Sequence, residues 1–327
     1  MTLTDLLDQW SVTPLTTLDH PAIADFLATT EGLGGRKFAA DSRDVAEQLS
    51  GVLPNGASVI RDQAERVRGY AALHQPHGLE PELTAQFVFA PDAPPDVVDD
   101  VVGATVSRFT QEAETLPGAY LRAFTGADER AVIGALVRRG ARLEGEFIRT
   151  RKPLHDEDLH ALEEASLEGI TVLSWPEVTL RGLGEQVRRL QYETFLEHFG
   201  NMSKTPEVWN HHINSRLFTP DFSIAALDQA GEVVGYVLGS TYTAGAAGSE
   251  ERSAHTDYIG VRRDYRKRGI AELLLKKIWL AALRRGLTAA SLGTDIRNRS
   301  NAHLLYRRIG YVAVENQVAH RIDTDEG

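Results

Sequence analysis

The richest run of chemistry in the chain is Arg262-Arg263-Asp264-Tyr265-Arg266-Lys267-Arg268-Gly269-Ile270-Ala271, in which five of the seven residues from 262 to 268 are basic. After it, Ile270, Leu273, Leu274, Ile278 and Ala281 form one apolar stripe of a helix that runs to about Arg285 and stops at Gly286. Before it lies the β-prone stretch His255 to Val261. A helix N-terminus offers unpaired N–H groups and a partial positive charge, and a small residue there lets a phosphate come close to the backbone. Strand, basic loop and helix together describe a site for a pyrophosphate.

Other candidates carry less. Gly32-Leu33-Gly34-Gly35 and Gly182-Leu183-Gly184 do not join a strand to a helix of a dinucleotide-binding unit, so their expected role is to bend the chain. The histidines include His211-His212 and the pair His74 and His77, but no His-Glu-x-x-His helix, and no metal is expected. A serine hydrolase lacks its Gly-x-Ser-x-Gly elbow. Trp209, Phe218 and Phe222 read as core.

The elements that must position the loop occur twice. Asp62-Gln63-Ala64, followed by Val67 and Gly69-Tyr70, returns 166 residues later as Asp228-Gln229-Ala230, followed by Val233 and Gly235-Tyr236. Each stretch sits between β-prone runs and predicts a hairpin. Leu136-Val137-Arg138-Arg139-Gly140 is likewise echoed by Leu305-Tyr306-Arg307-Arg308-Ile309-Gly310, the glycines 170 residues apart. Each half reads as helices, a strand meander, then strand–helix–strand. The class is therefore α/β, with a central mixed sheet flanked by helices in each of two tandem domains. The expected domains are 1–154 and 169–327, with 155–168 as a linker where the charged run His155-Asp156-Glu157-Asp158 follows Pro153.

In the first copy the counterpart of the basic loop is Pro91-Asp92-Ala93-Pro94-Pro95-Asp96, with Asp99 and Asp100 close behind. Acidic side chains repel a pyrophosphate and prolines remove N–H donors. This half is expected to be degenerate.

Length and composition fit that scheme. The chain has 327 residues, 42% hydrophobic and 25% charged, enough for two folded domains. With no cysteine it has neither disulfides, thiolate nucleophiles nor cysteine-ligated zinc, and a cytoplasmic protein is the default. A net charge of −11 disfavours a nucleic-acid partner and suits an amine-bearing one. Neither an export signal nor a membrane span is indicated. A monomer or homodimer is expected.

The loop, written Arg266-x-x-Gly269-x-Ala271, resembles the acetyl-CoA loop of the GNAT superfamily of N-acetyltransferases. Tyr258-Ile259-Gly260-Val261 before it and Asn301…Tyr306…Gly310-Tyr311 after it strengthen the likeness, and with the duplication the chain looks like a tandem GNAT. The resemblance implies acetyl-CoA as acyl donor, with the backbone from Arg266 through Lys267, Arg268, Gly269 and Ile270 to Ala271 holding the pyrophosphate. Basic side chains such as Arg262 and Lys267 would neutralise phosphates, while the strand Ile259-Gly260-Val261 would carry an amide that polarises the thioester. By the same resemblance Tyr306 meets the departing sulfur and Asn301 or Asn298 contacts CoA. Asn301 also reads as an N-cap for the helix carrying Leu304 to Arg308. His255 is the first candidate for general base, with Asp257 two residues on along the same strand face and Glu197 third.

The implied reaction is direct attack of a small-molecule primary amine on acetyl-CoA in a ternary complex, without a metal. A protein or peptide amine as acceptor, or a non-catalytic acyl-CoA sensor, are the alternatives. Tyr306 and His255 speak for catalysis, and a closed acceptor cavity would favour the small molecule.

Overall fold

The computed structural model describes residues 10–29, 41–75, 80–196, 202–244, 251–296 and 301–324. In chain order the strands are β1 (Trp10–Pro14), β2 (Val52–Asp62), β3 (Val67–His74), β4 (Glu82–Phe89), β5 (Tyr120–Gly126), β6 (Arg142–Pro153), β7 (Thr171–Ser174), β8 (Ile224–Leu227), β9 (Val233–Ala244), β10 (Glu251–Val261), β11 (Ala289–Asp295) and β12 (Val312–Asp323). The helices are α1 (His20–Thr29), α2 (Ser42–Gln48), α3 (Pro95–Ala113), α4 (Arg130–Arg138), α5 (Leu159–Glu164), α6 (Trp175–Leu180), α7 (Gly184–Phe195), α8 (Pro206–Ile213), α9 (Ile270–Arg284) and α10 (Ala302–Arg308).

Among the described residues, packing puts those up to Glu146 and from Asn316 onward in one unit, and those from Phe147 to Thr243 and from Glu251 to Glu315 in another. Contiguous domains were the sequence expectation, yet each unit takes its last strand from the far half of the chain. In the first unit, Gln317–Asp323 of β12 runs antiparallel to β5. In the second, Phe147–Pro153 of β6 runs antiparallel to β11. Strand pairing follows register and facing side chains, which chain order alone does not reveal.

The duplication is visible bond by bond. Asp62 Oδ1 accepts from the amides of Ala64 and Arg66 at 2.9 and 3.0 Å, and Asp228 Oδ1 accepts from Ala230 and Glu232 at 3.0 Å each. A left-handed residue completes each turn, Glu65 at φ 58° and Gly231 at φ 82°. Helices α4 and α10 also end alike, with Gly140 and Gly310 left-handed and with six-residue bonds from Ala141 N to Leu136 O (3.1 Å) and from Tyr311 N to Tyr306 O (3.0 Å). Leu136 therefore occupies the place in the first copy that Tyr306 holds in the second.

In the second unit the sheet buries two faces. Ala226, Val237, Ala254, Ala290 and Leu292 pack with Ile270, Leu274 and Ile278 of α9 and Tyr306 of α10. On the other face Ala225, Leu227, Tyr236 and Leu238 pack with Val178 of α6, Val187 and Leu190 of α7 and Trp209 of α8. Trp209, Phe218 and Phe222 are all buried, as the sequence reading had them. Helix α9 buries more than the expected stripe, since Leu275, Trp279 and Leu283 are also inside. Gly182 is left-handed (φ 67°) and turns α6 into α7, whereas Gly32-Leu33-Gly34-Gly35 lies outside the described residues.

Parallel pairing of β10 with β11 lasts only from Ala254↔Ala290 to Thr256↔Leu292. Beyond it β10 continues to Val261, while Gly293 to Asp295 pair with β6 on their other side. Two parallel strands that part in mid-course leave backbone amides and carbonyls of both edges available to a ligand. The alternation of β10 also breaks there. Ala254 packs on the α9 face, but Tyr258, four residues on, packs on the opposite face against Phe195, as Ile259 and Val261 return to the α9 face. One extra residue at Asp257-Tyr258 accounts for this, and such a bulge re-aims side chains beside the opening.

Candidate active site

The basic loop is built to bind an anion through its backbone. Lys267 (φ 62°) and Gly269 (φ 85°) are both left-handed, which turns successive amides toward one side. Among the described residues, the amides of Lys267 to Glu272 donate to no other backbone group, and the first bond into the helix is Leu273 N to Gly269 O at 2.9 Å. These free donors meet the positive end of the fifteen-residue helix α9. A pyrophosphate fits this cradle.

Not every arginine in the loop is available. Arg262 is held by Asp264 at 2.9 Å and stacks on Tyr265 with its guanidinium carbon 4.5 Å from the ring centroid. Arg266 donates to the Val261 carbonyl at 3.1 Å and Arg268 to that of Asp264 at 2.8 Å. Tyr265 is itself tied to the turn aspartate Asp228 at 2.7 Å. Arg262, expected to neutralise phosphate, is thus paired within the loop itself, with its side chain about one-third exposed. Lys267 is exposed.

The first unit opens its β4–β5 pair in the same way, after Ala85↔Ala123. Its connection to α3 is only Ala90 to Pro94, Asp92 is paired with Arg68, and Pro94 and Pro95 stand at the helix start with no side-chain cap. The opening was kept and the cradle was not.

Gly260 lies at the second unit's opening and tolerates no side chain, since a Cβ would come within 2.5 Å of Tyr236 Cε1 and 2.6 Å of Thr194 Oγ1. Those two groups are bonded to each other at 3.0 Å. Tyr306 is 6% exposed on the α9 side, its ring edge-on to Tyr311 at 6.0 Å, and burial pushes its phenol up to about 12. Asn301 stands at the N-cap position of α10 with φ 52°, but its side chain makes no cap bond. Asn301 therefore stands at the cap position without capping through its side chain, since φ 52° departs from the extended backbone that aims a cap side chain at the first-turn amides.

Across the sheet, on the α7–α8 side, lie the titratable groups. His255 and Asp257 share this face, as two-residue spacing requires, and the bulge begins just after them. His255 Nδ1 is 2.8 Å from Ser291 Oγ, its ring packs on Tyr242 at 5.3 Å, and its Nε2 lies 4.0 Å from Asp257 Oδ1. Asp257 Oδ1 accepts from Ser240 Oγ at 2.8 Å. Both side chains are largely buried, 13% and 17% exposed. Burial and the nearby Arg149 push His255 down to about 4, and burial pushes Asp257 up to about 7 against the pull of Ser240 and Lys204. Near pH 7 the histidine is neutral and the carboxyl is poised to take or give a proton.

Sequence reasoning missed the residues that line this face. Tyr258 is met edge-on by Phe195 and His212, both at 5.3 Å, and Lys204 Nζ lies 4.6 Å from its ring centroid. Burial, with Lys204 and His211 nearby, drives His212 down to about 3. Their only signal was a lysine and two histidines in an apolar neighbourhood. Glu197 and Asn298 lie outside the described residues. No group of metal-ligating residues occurs among the described ones, and no described helix is long and apolar enough to cross a membrane.

The sheet thus opens beside an anion cradle at a helix start, with a buried tyrosine on one face and a buried carboxyl on the other, and comparison with known proteins gives this arrangement its class. Residues 185–311 match the model of the acetyltransferase (GNAT) family. The chain is similar to the solved GCN5-related N-acetyltransferase from Sphaerobacter thermophilus, at 21% identity and a TM-score of 0.71 over 97% of this chain and 96% of that one. A tandem GNAT protein from the clavulanic acid biosynthesis pathway matches at 16% identity and TM-score 0.67, over 96% and 98%. Saccharomyces cerevisiae N-myristoyltransferase shares the fold at 10% identity and TM-score 0.65, over 96% and 80%. No curated protein sequence matches. Residues 185–311 carry a GNAT acetyltransferase domain, which makes the chain an acyltransferase, and its fold is similar to that of tandem GNAT proteins over nearly its whole length.

Proposed function

We propose that the second unit moves the acetyl group of acetyl-CoA to the primary amine of a small molecule by direct attack. The observation that carries this reading is the placement of Asp257 and Tyr306 on opposite faces of the strand pair that opens after Thr256. The amine nitrogen bonds to the thioester carbon, the carbon–sulfur bond breaks with its electron pair going to sulfur, and the ammonium proton passes to Asp257. Backbone from Ile259 to Val261 polarises the carbonyl, while Lys267 to Ala271 hold the pyrophosphate and Asn301 contacts CoA.

Magnitudes decide between the two candidate bases. An alkylammonium near 10.4 gives its proton to an ordinary carboxylate near 3.9 at a cost of about 9 kcal/mol, and to one at about 7 for roughly 4 kcal/mol less. His255, pushed down to about 4, gives no such advantage. Asp257 is the proton acceptor and His255 its neutral neighbour.

The buried position of both groups supports a small acceptor over a protein chain. Among similar structures, one is a glucosamine N-acetyltransferase region of a fungal multi-domain protein, at 15% identity and TM-score 0.64, and an amino sugar is one acceptor of the right size. The test is release of free CoA thiol from acetyl-CoA against panels of amino sugars, amino acids, polyamines and peptides. Turnover confined to small amines is expected, and turnover with peptides alone would overturn the reading.

A further inference from the structure

Lys204 is 7% exposed, and its ammonium forms no ion pair among the described residues; its close partner is the face of Tyr258 at 4.6 Å. An ammonium with no carboxylate in ion-pair contact keeps part of its charge uncompensated: Asp257 acts on it only at longer range, and an aromatic face supplies only part of what an ion pair would. The backbone around it is fixed instead: Lys204 N donates to Gln191 Oε1 at 2.9 Å, and Gln191 Nε2 to the Met202 carbonyl at 2.8 Å. Chain geometry therefore holds the lysine inside. A polar atom at the same ring is unsatisfied, since His212 Nε2 is buried with no hydrogen-bond partner while its ring meets Tyr258 edge-on. Tyr258 follows Asp257 directly, so the unpaired cation lies beside the proton acceptor, on the acceptor's side of the sheet.

We propose that Lys204 is a specificity residue of the acceptor site, and that the acceptor is an amine that also carries a carboxylate a few bonds from its nitrogen. The inference rests on the acetyl-transfer reading above and narrows its substrate class. A carboxylate would complete the ammonium's ion pair and accept a hydrogen bond from the His212 side chain, while the amine reaches Asp257. One monovalent cation matches one carboxylate better than a phosphate. Arg188, which donates to the Lys204 carbonyl at 3.3 Å, is already committed to Glu185 at 2.7 Å.

The experiment compares kcat/KM for glycine, β-alanine, γ-aminobutyrate and a set of α-amino acids with that for their carboxamides, in the native chain and in Lys204→Met and Lys204→Arg. The native chain is expected to favour at least one free acid over its carboxamide by about 100-fold, because a site built for a polar group rejects the analogue that lacks it. Lys204→Met should erase that preference chiefly through KM, and Lys204→Arg should restore part of it. Carboxamides or plain alkylamines turned over as well as the acids would overturn the proposal and leave acetyl transfer to small amines standing. Equal loss with acid and amide in Lys204→Met would show a structural lysine and overturn it too. If Lys204→Met does not fold, the native preference and the Lys204→Arg values still decide. Absence of turnover with every amine would overturn both readings.

Discussion

Asp257 and Tyr306 do opposite work with shifts of the same sign, since burial raises both. For Asp257 the raised value is what makes a carboxyl useful as a base, and it sets a pH signature. The group must be ionised to accept a proton, so kcat/KM should rise through about pH 7. Asp257→Asn should cost about 10²- to 10⁴-fold at pH 7 and remove that inflection, leaving only the rise that follows the amine itself. A variant that keeps both rate and inflection would exclude Asp257. For Tyr306, a phenol pushed up to about 12 cannot protonate a thiolate near 8.5 without climbing about 5 kcal/mol, so the role proposed for it is to stabilise the leaving sulfur by hydrogen bonding. Tyr306→Phe should lower turnover about 10- to 1,000-fold with little change in acetyl-CoA affinity, measured where chemistry limits the rate. The tyrosine and the pair His255 and Asp257 were candidates by resemblance, and the shared face of the pair by its two-residue spacing. Which of the pair is the base could not, because it depends on Ser291, Ser240 and Arg149, brought near by folding. Lys204 and Tyr258 left no pattern in sequence, as their meeting joins the segment before α8 to a strand more than fifty positions on.

At the scale of elements, the cradle was the most legible part of the chain, because its function needs a local run of residues: left-handed turns, free amides and a helix start within ten positions. The two hairpins were equally legible, since a side chain that caps its own turn leaves a fixed motif at Asp62 and Asp228. The opening of β10 from β11 was not, for it is a register event between strands more than thirty residues apart. The cradle's conformation predicts the sensitivity of Gly269. At φ 85° any side chain is strained, and an acidic one also repels phosphate. Gly269→Glu should therefore weaken acetyl-CoA binding at least about 100-fold, and Gly269→Ala much less; calorimetric titration of each variant reads the difference. Equal, mild effects would mean that the backbone there does not hold the pyrophosphate.

At the scale of the whole molecule, two copies of one architecture have diverged in chemistry while keeping their frames. The first unit retains the parted strands and the capped hairpin, but carries Leu136 in the place of Tyr306 and Pro94-Pro95 where the second unit has free amides. Duplication was readable from the repeated motifs, whereas the exchange of last strands was not, because β6 and β12 carry no mark of which sheet they join. The central claim is that acyl transfer belongs to the second unit alone. Calorimetric titration of the full chain with acetyl-CoA decides it: one site per chain is expected, lost in Gly269→Glu, and two equivalent sites, or full binding in that variant, would refute it.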